Sequence, residues 1–122
     1  MFREFFNIME EMTRRGYLSE LELMILLALV RLGERAYGVP ISCEIERRSG
    51  REVALGSVYA ALERLENKGM VTSTLGDPTA ERGGRAKRYF HVTGGGMREL
   101  KETQQALVSL WSGLPELEGG IV

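Results

Sequence analysis

Residues 54–70 read ALGSVYAALERLENKGM, which is the pattern of a short amphipathic helix. Val58, Leu62 and Leu65 follow one another at spacings of four and three, so they form one apolar stripe. Gly69 stands where a left-handed C-terminal cap is expected. The opposite face begins with small residues and includes Ser57, Tyr59, Ala60, Glu63, Arg64 and Asn67. It is either an ordinary surface helix or one whose N-terminal half approaches another surface, as a helix in the DNA major groove does.

A strongly apolar helix is predicted upstream. Ser19 and Glu22 stand three residues apart and form a capping box at its start. The run 23–30, LMILLALV, then predicts a helix that is buried nearly all round and ends at Gly33. We expect this helix to lie at the centre of the core.

A second helix follows and completes a helix-turn-helix. Pro40 is tolerated only in the first turn of a helix, so the helix begins just before it. Val39, Ile41 and Ile45 would give it a narrow buried face, and Gly50 would end it. A short connector, 51–55, then leads into the helix predicted within the stretch 54–70, with an overlap of two residues where the helix begins.

After Gly69 the period of the sequence changes from helical to alternating. Residues 70–75 (MVTSTL) and 87–93 (KRYFHVT) predict the strands of a hairpin, and residues 76–86 (GDPTAERGGRA) predict its extended tip. Alternation places Arg88 on one face of the second strand and Lys87 on the other. The cationic side chains of this segment are Arg82, Arg85, Lys87 and Arg88. Cations and glycines together favour a wing that contacts DNA phosphates over a merely solubilising loop.

Amphipathic helices are predicted at both ends of the chain. Thr93 can cap a C-terminal helix over 94–115, although three glycines give it a weak first turn. Its apolar seam, with one polar interruption, consists of Met97, Leu100, Gln104, Leu107, Trp111 and Leu114. This heptad spacing predicts packing against a second copy of the chain. Residues 1–16 predict a helix whose Phe5, Met9 and Met12 would enlarge that interface, and residues 116–122 predict a frayed tail.

Composition narrows the possible classes of protein. A chain of 122 residues with 43% hydrophobic and 27% charged residues predicts one soluble domain. The formal net charge is −1, so any DNA contact must come from a local basic patch. No uninterrupted apolar segment resembles a signal peptide or a membrane span, and we expect a cytoplasmic protein.

The single cysteine and the single histidine exclude several kinds of site. Cys43 and His91 cannot build a disulfide framework or a Cys/His metal site within one chain. We expect Cys43 to be a small buried residue. No nucleophile and base can be paired and no cofactor motif is present, so an enzyme is the least favoured class.

Three segments together resemble the PadR family of bacterial winged helix-turn-helix transcriptional regulators. They are 36–41 (AYGVPI), 55–69 (LGSVYAALERLENKG) and 84–93 (GRAKRYFHVT). The resemblance spans Leu18 to Leu114 and is strongest to short-tailed members with one C-terminal helix. Ala60 and Ala86 replace prolines that many members carry at these positions. The implied fold is mainly α with one small β-hairpin: a winged helix-turn-helix over 18–93, flanked by helices that form a dimer interface.

The resemblance implies a homodimeric repressor that binds a pseudo-palindromic DNA operator. Ser57, Tyr59, Ala60 and Arg64 would contact the major groove or its edges, and Tyr37 would donate its hydroxyl to a phosphate. For Tyr37 and Tyr59, packing within the protein is the alternative. The cations of the wing would bind phosphates. The resemblance also implies relief from DNA by a small hydrophobic or aromatic effector. Four residues could line a pocket for it instead of only filling the interface: Met9, Met12, Met97 and Trp111.

One other class stays open at this point. A winged-helix dimer could bind protein and not DNA, and the acidic isoelectric point, about 5.9, is compatible with it. The sequence does not identify the operator, the regulated gene or the effector.

Overall fold

The computed structural model describes residues 17–76 and 86–118. The predicted N-terminal helix (1–16), residues 77–85 of the predicted wing tip (76–86) and residues 119–122 lie outside the described residues. The described elements are helix α1 (Glu20–Leu32), a 3-10 turn (Gly33–Arg35), α2 (Gly38–Ser49), α3 (Leu55–Asn67), strands β1 (Val71–Leu75) and β2 (Arg88–Val92), α4 (Gly94–Trp111) and α5 (Pro115–Glu118). The predicted fold class, mainly α with one small hairpin, is confirmed. In the ranges described, no helix is both long and apolar enough to cross a membrane.

The core lies where α1, α2, α3 and the hairpin meet. Val58, Leu62 and Leu65 of α3 are buried there, as their spacing predicts. The hairpin is antiparallel, with Val71 opposite Val92 and Leu75 opposite Arg88. Lys87 immediately precedes β2, and the separate contacts of Lys87 with Tyr37 and of Arg88 with Ser73 agree with the prediction that the two side chains lie on opposite faces of the wing.

Local capping signals in the sequence are confirmed. The Ser19 amide donates to Glu22 Oε1 at 2.8 Å, and the Glu22 amide donates to Ser19 Oγ at 3.2 Å. Thr93 Oγ1 accepts from the Gly96 amide at 3.0 Å and starts α4. Gly69 follows α3 with a φ of 75°, a left-handed conformation that favours glycine.

The prediction that α1 is buried nearly all round is wrong. Leu27 is 49% exposed and Val30 48% exposed. Together with Leu23 they form a second apolar stripe, at spacings of four and three, on the side of α1 away from the stripe of Ile25 and Leu29. The apolar run 23–30 therefore forms two apolar faces of α1, and only one of them packs in the core.

Two predictions for α2 are also wrong. Val39 is 51% exposed and Cys43 is exposed, although both were expected to be buried. The buried stripe of α2 runs through Gly38, Ile41 and Ile45 instead. Val39 and Cys43 are four residues apart and share the solvent face of α2. Their position around the helix axis therefore decides their exposure more than their residue type does.

The C-terminal helix is shorter than predicted. α4 ends at Trp111, and Gly113 adopts a φ of 79°. Pro115 does not end the helix but begins the short helix α5, because its fixed φ suits a first helical position. Leu114 therefore lies between two helices and not on the seam of α4.

A glycine at the start of α4 lets that helix pack closely on the base of the hairpin, at Met70 and Val92. A Cβ built on Gly96 would overlap the Met70 carbonyl oxygen and Val92 Cγ1. At Gly94 the nearest atom to such a Cβ is Arg98 Nη1, at 3.7 Å. Of these two glycines, only Gly96 is required by the packing.

Substitution of Gly96 by alanine should therefore destabilise the protein. Overpacking against a backbone carbonyl costs about 1–3 kcal/mol, whereas the gain in helix propensity is at most about 1 kcal/mol. We expect a net loss of about 1–2 kcal/mol in the free energy of unfolding, measured by urea denaturation. Gly94→Ala is the control and should be neutral or stabilising; equal behaviour of the two variants would contradict the packing argument.

Candidate nucleic-acid interface

The exposed face of α3 over its first two turns carries small residues beside two larger ones, Leu55 and Tyr59. Gly56, Ser57 and Ala60 are exposed, and nothing lies within 4 Å of a Cβ built on Gly56. The N-cap residue, Ala54, has no polar side chain, so the first amides of α3 receive no capping hydrogen bond from it. A flat, small-residue surface at a helix N-terminus lets a phosphate backbone or base edges approach closely.

Three tyrosines connect this face to α2 and to the wing. Tyr59 lies against Gly38 at the start of α2, since a Cβ on Gly38 would overlap its hydroxyl and ring. Tyr37, the N-cap residue of α2, meets Tyr89 of β2 edge to face, with ring centroids 5.7 Å apart and planes at 76°. We call Tyr37, Tyr59 and Tyr89 the tyrosine cluster. Tyr59 remains 46% exposed, so packing and a solvent-facing contact are both available to it.

The base of the wing is attached to the helix-turn-helix by its backbone and by Lys87. The Phe90 amide donates to the Ala36 carbonyl at 2.8 Å, immediately before Tyr37. Lys87 Nζ lies 3.4 Å from the centroid of the Tyr37 ring, a cation–π contact. The wing and the start of α2 therefore present one continuous surface.

Arg88 lies on the other face of the wing. Its Nη1 donates to Ser73 Oγ at 3.0 Å, and Ser73 Oγ donates to Glu66 Oε2 of α3 at 3.2 Å. The two described cations of the wing thus stabilise different junctions, Lys87 that with α2 and Arg88 that with α3. Arg82 and Arg85 lie outside the described residues.

Arg64 is separated from the other predicted readers by its contact with α1. Its Nε lies 3.5 Å from Glu22 Oε2, and its side chain is 50% exposed. Glu22 is 2% exposed and accepts from Lys68 Nζ with both oxygens at 3.0 Å. Burial raises the pKa of the Glu22 carboxyl. Hydrogen bonds from Ser19 and Lys68 and the charge of Lys68 lower it, and together they outweigh the effect of burial, so the pKa lies below its ordinary value of 4.5. The sequence suggested only the capping role of Glu22, because Lys68 is 46 residues away.

This shift predicts a pH-dependent contribution of Glu22 to stability. A carboxyl whose pKa is lowered by folding stabilises the protein above its ordinary value of 4.5, and this stabilisation disappears as the pH falls through the lowered pKa. Glu22→Gln should unfold at lower urea concentration than wild type at neutral pH. The difference in free energy of unfolding should shrink at pH values progressively below 4.5, and a constant difference would contradict the assignment.

An apolar groove of about 710 Å³ separates α1 from α4. Leu23, Leu27 and Val30 form its α1 wall. Its α4 wall contains five of the six residues of the predicted seam: Met97, Leu100, Gln104, Leu107 and Trp111. The sequence placed the α4 residues on one stripe but missed the α1 wall, and Phe5, Met9 and Met12 lie outside the described residues.

A three-helix core, a two-stranded wing and an exposed helix face beside them define a winged helix-turn-helix protein. The family model described as "Transcriptional regulator PadR-like family" matches residues 26–102, more than half of the chain. The chain belongs to this family. Its members are transcriptional regulators and not enzymes, so the predicted family and the predicted class are confirmed.

Individual proteins are similar to this chain in sequence or in structure. An uncharacterized protein of Lysinibacillus sphaericus is 31% identical over 105 residues, covering 84% of this chain and 85% of that protein. A PadR-like transcriptional regulator from Bacillus cereus is 26% identical, with a TM-score of 0.65 over 80% of this chain and 89% of that one. A transcriptional regulator from Clostridium thermocellum is also 26% identical, with a TM-score of 0.61 over 76% and 82% of the two chains.

Proposed function

We propose that the protein is a cytoplasmic, homodimeric repressor that binds a pseudo-palindromic DNA operator. The observation that carries the proposal is the continuity of the small-residue face of α3 with the tyrosine cluster and the wing. Such a surface can place a helix in the major groove while cations and hydroxyls contact the flanking phosphates. Occupation of a promoter by the dimer would then exclude the polymerase.

Within this surface the proposed roles differ between residues. Ser57 and Ala60 read the major groove, where Ala60 suits contact with a thymine methyl group. Tyr59 and Tyr37 donate to phosphates from the edge of the tyrosine cluster. Arg64 is restricted to a backbone contact, because its guanidinium lies beside Glu22. With so few base contacts, part of the specificity would come from DNA shape.

The groove between α1 and α4 supports the homodimer. Its walls expose large apolar side chains, with Leu27, Leu107 and Trp111 each between 40% and 49% exposed. A second α4 packed into this groove would bury them, and the heptad spacing of α4 suits such a partner. The dimer would present two copies of α3 at about one DNA helical turn, ~34 Å, from each other.

The same groove supports relief by a small aromatic effector. In one protomer the groove measures about 710 Å³, within the range of small-molecule sites, and an effector bound against Met97 and Trp111 would take space from the partner helix. Trp111 is the single tryptophan of the chain, so its fluorescence reports on the groove directly. Titration with phenolic acids and planar cationic drugs should quench it and release DNA; a panel without either effect would remove the effector from the proposal.

DNA binding is tested with the wild-type protein and the DNA upstream of its own gene. Fluorescence anisotropy should show tight binding to this DNA, weaker binding to a shuffled sequence of equal length, and affinity that falls as salt rises. A promoter–reporter fusion then distinguishes repression from activation. A folded dimer that fails to bind heparin or any DNA at low salt would favour the alternative, a module that binds protein.

A further inference from the structure

Glu22 is a buried carboxylate that neither the proposed DNA surface nor the groove requires. It lies at the start of α1 and accepts from Lys68 Nζ, just past the end of α3, with both oxygens. Arg64 adds a second cation at 3.5 Å, and Lys68 Nζ also donates to the Tyr17 carbonyl at 3.2 Å. We call Glu22, Arg64 and Lys68 the ion triad; it joins the first turn of α1 to the last turn of α3.

The other buried carboxylate of the described residues shows what is specific to Glu22. Glu44 is 8% exposed and pairs with Arg47 and Arg48, both of its own helix. Its ion pairs stabilise α2 locally and connect it to nothing else. Glu22 instead joins two helices, and burying a charge for that purpose requires good geometry and a full set of partners.

The ion triad adds directional contacts to the packing of the apolar stripe of α3. Val58, Leu62 and Leu65 pack against the core through non-directional contacts, whereas charge-assisted hydrogen bonds have preferred distances and angles. From Lys68 to Ser57 the helix axis rises by about 16 Å, so a tilt of about 3° at the triad displaces Ser57 by about 0.8 Å. A displacement of that size takes a hydrogen bond out of its favourable range of distances.

We propose that Glu22 is the positioning residue of α3, which fixes the angle at which Ser57 and Ala60 face the DNA. The inference rests on the proposed DNA binding for its functional consequence, whereas the joint between α1 and α3 exists without DNA. Glu22 touches no DNA in this account and acts only through Lys68 and Arg64.

Matched variants test the joint in the free protein. Glu22→Gln keeps an acceptor for the Ser19 amide and removes the charge, and Glu44→Gln removes the other buried charge. Hydrogen exchange should accelerate in Glu22→Gln at the amides of Lys68, Gly69 and Met70, which close the C-terminal turn of α3. Exchange in α2 and in the hairpin should accelerate by no more than the loss of global stability accounts for, and Glu44→Gln should leave the three amides unchanged.

The same variants test the consequence for DNA. Operator affinity should fall about tenfold in Glu22→Gln, the equivalent of one charged hydrogen bond, with an unchanged salt slope because no phosphate contact is removed. Glu44→Gln should stay within about twofold of wild type. Lys68→Arg should retain operator affinity and Lys68→Met should lose it, which also covers the case in which Glu22→Gln folds poorly.

Each outcome decides one claim. Unchanged exchange at the three amides in Glu22→Gln contradicts the claim that Glu22 holds the end of α3 against α1. Faster exchange with unchanged operator affinity overturns the positioning role. If wild type binds no DNA while exchange behaves as expected, the joint stands and the proposed DNA binding fails.

Discussion

Replacing Arg85, Lys87 and Arg88 together by alanine should weaken DNA binding by about 10²–10³-fold at moderate salt. Each cation that neutralises a phosphate releases counterions, and the dimer carries each of the three twice, so the slope of log affinity against log salt should fall by up to about 5.4. Lys87 and Arg88 also stabilise the junctions of the wing with α2 and α3, through Tyr37 and Ser73. Their loss should therefore reduce affinity for specific and non-specific DNA alike.

A control with the same change in charge separates the wing from the rest of the surface. Arg31, Arg47 and Arg98 are exposed residues of α1, α2 and α4, outside the proposed DNA surface. Their joint replacement by alanine should change affinity by less than about threefold and leave the salt slope nearly unchanged. The wing assignment fails if the triple variant at 85, 87 and 88 keeps wild-type affinity and slope, measured by anisotropy over a salt series.

The second large effect is expected in the groove. Leu27→Glu and Leu107→Glu each place a charge on one of its walls, where a partner helix would bury it unpaired. Both should convert the dimer to a monomer, visible by analytical ultracentrifugation. Operator affinity should fall more than about 100-fold, because two linked half-site contacts become independent.

Val39→Glu is the matched control for the groove. Val39 is 51% exposed, comparable with Leu27, but lies on the outer face of α2 away from both walls. It should leave the dimer intact. A monomeric wild type, or groove variants that remain dimeric, would refute the proposed interface.

Features that depend on nearby residues could be predicted from the sequence. The Ser19 capping box, the Thr93 cap and the left-handed Gly69 each depend on a few neighbouring residues, and all are present. The stripe of Val58, Leu62 and Leu65 was equally readable, because helical spacing defines a face without reference to its partner.

Features that depend on distant partners could not be predicted. An apolar stripe does not reveal whether it meets the core or a groove, which is why Leu27 was misassigned. The ion pair of Glu22 with Lys68 joins segments 46 residues apart, and the contact of Tyr59 with Gly38 depends on how two helices meet. In each case the local pattern predicts the secondary structure and the helical face of the residue, and only tertiary packing decides which partner that face contacts.

The start of α4 has a consequence for operator architecture. The Thr93 amide donates to the Met70 carbonyl at 3.0 Å, Thr93 Oγ1 donates to the Gly69 carbonyl at 2.7 Å, and Gly96 lies directly against Met70 and Val92. The wing therefore continues into α4 without a flexible linker. In the proposed dimer, an operator whose spacer between half-sites differs in length from the one that fits the dimer can bind only if the DNA twists or bends. Each inserted base pair rotates one half-site by about 35°, so such a regulator should accept a single spacer length and discriminate against operators that differ from it by even one or two base pairs.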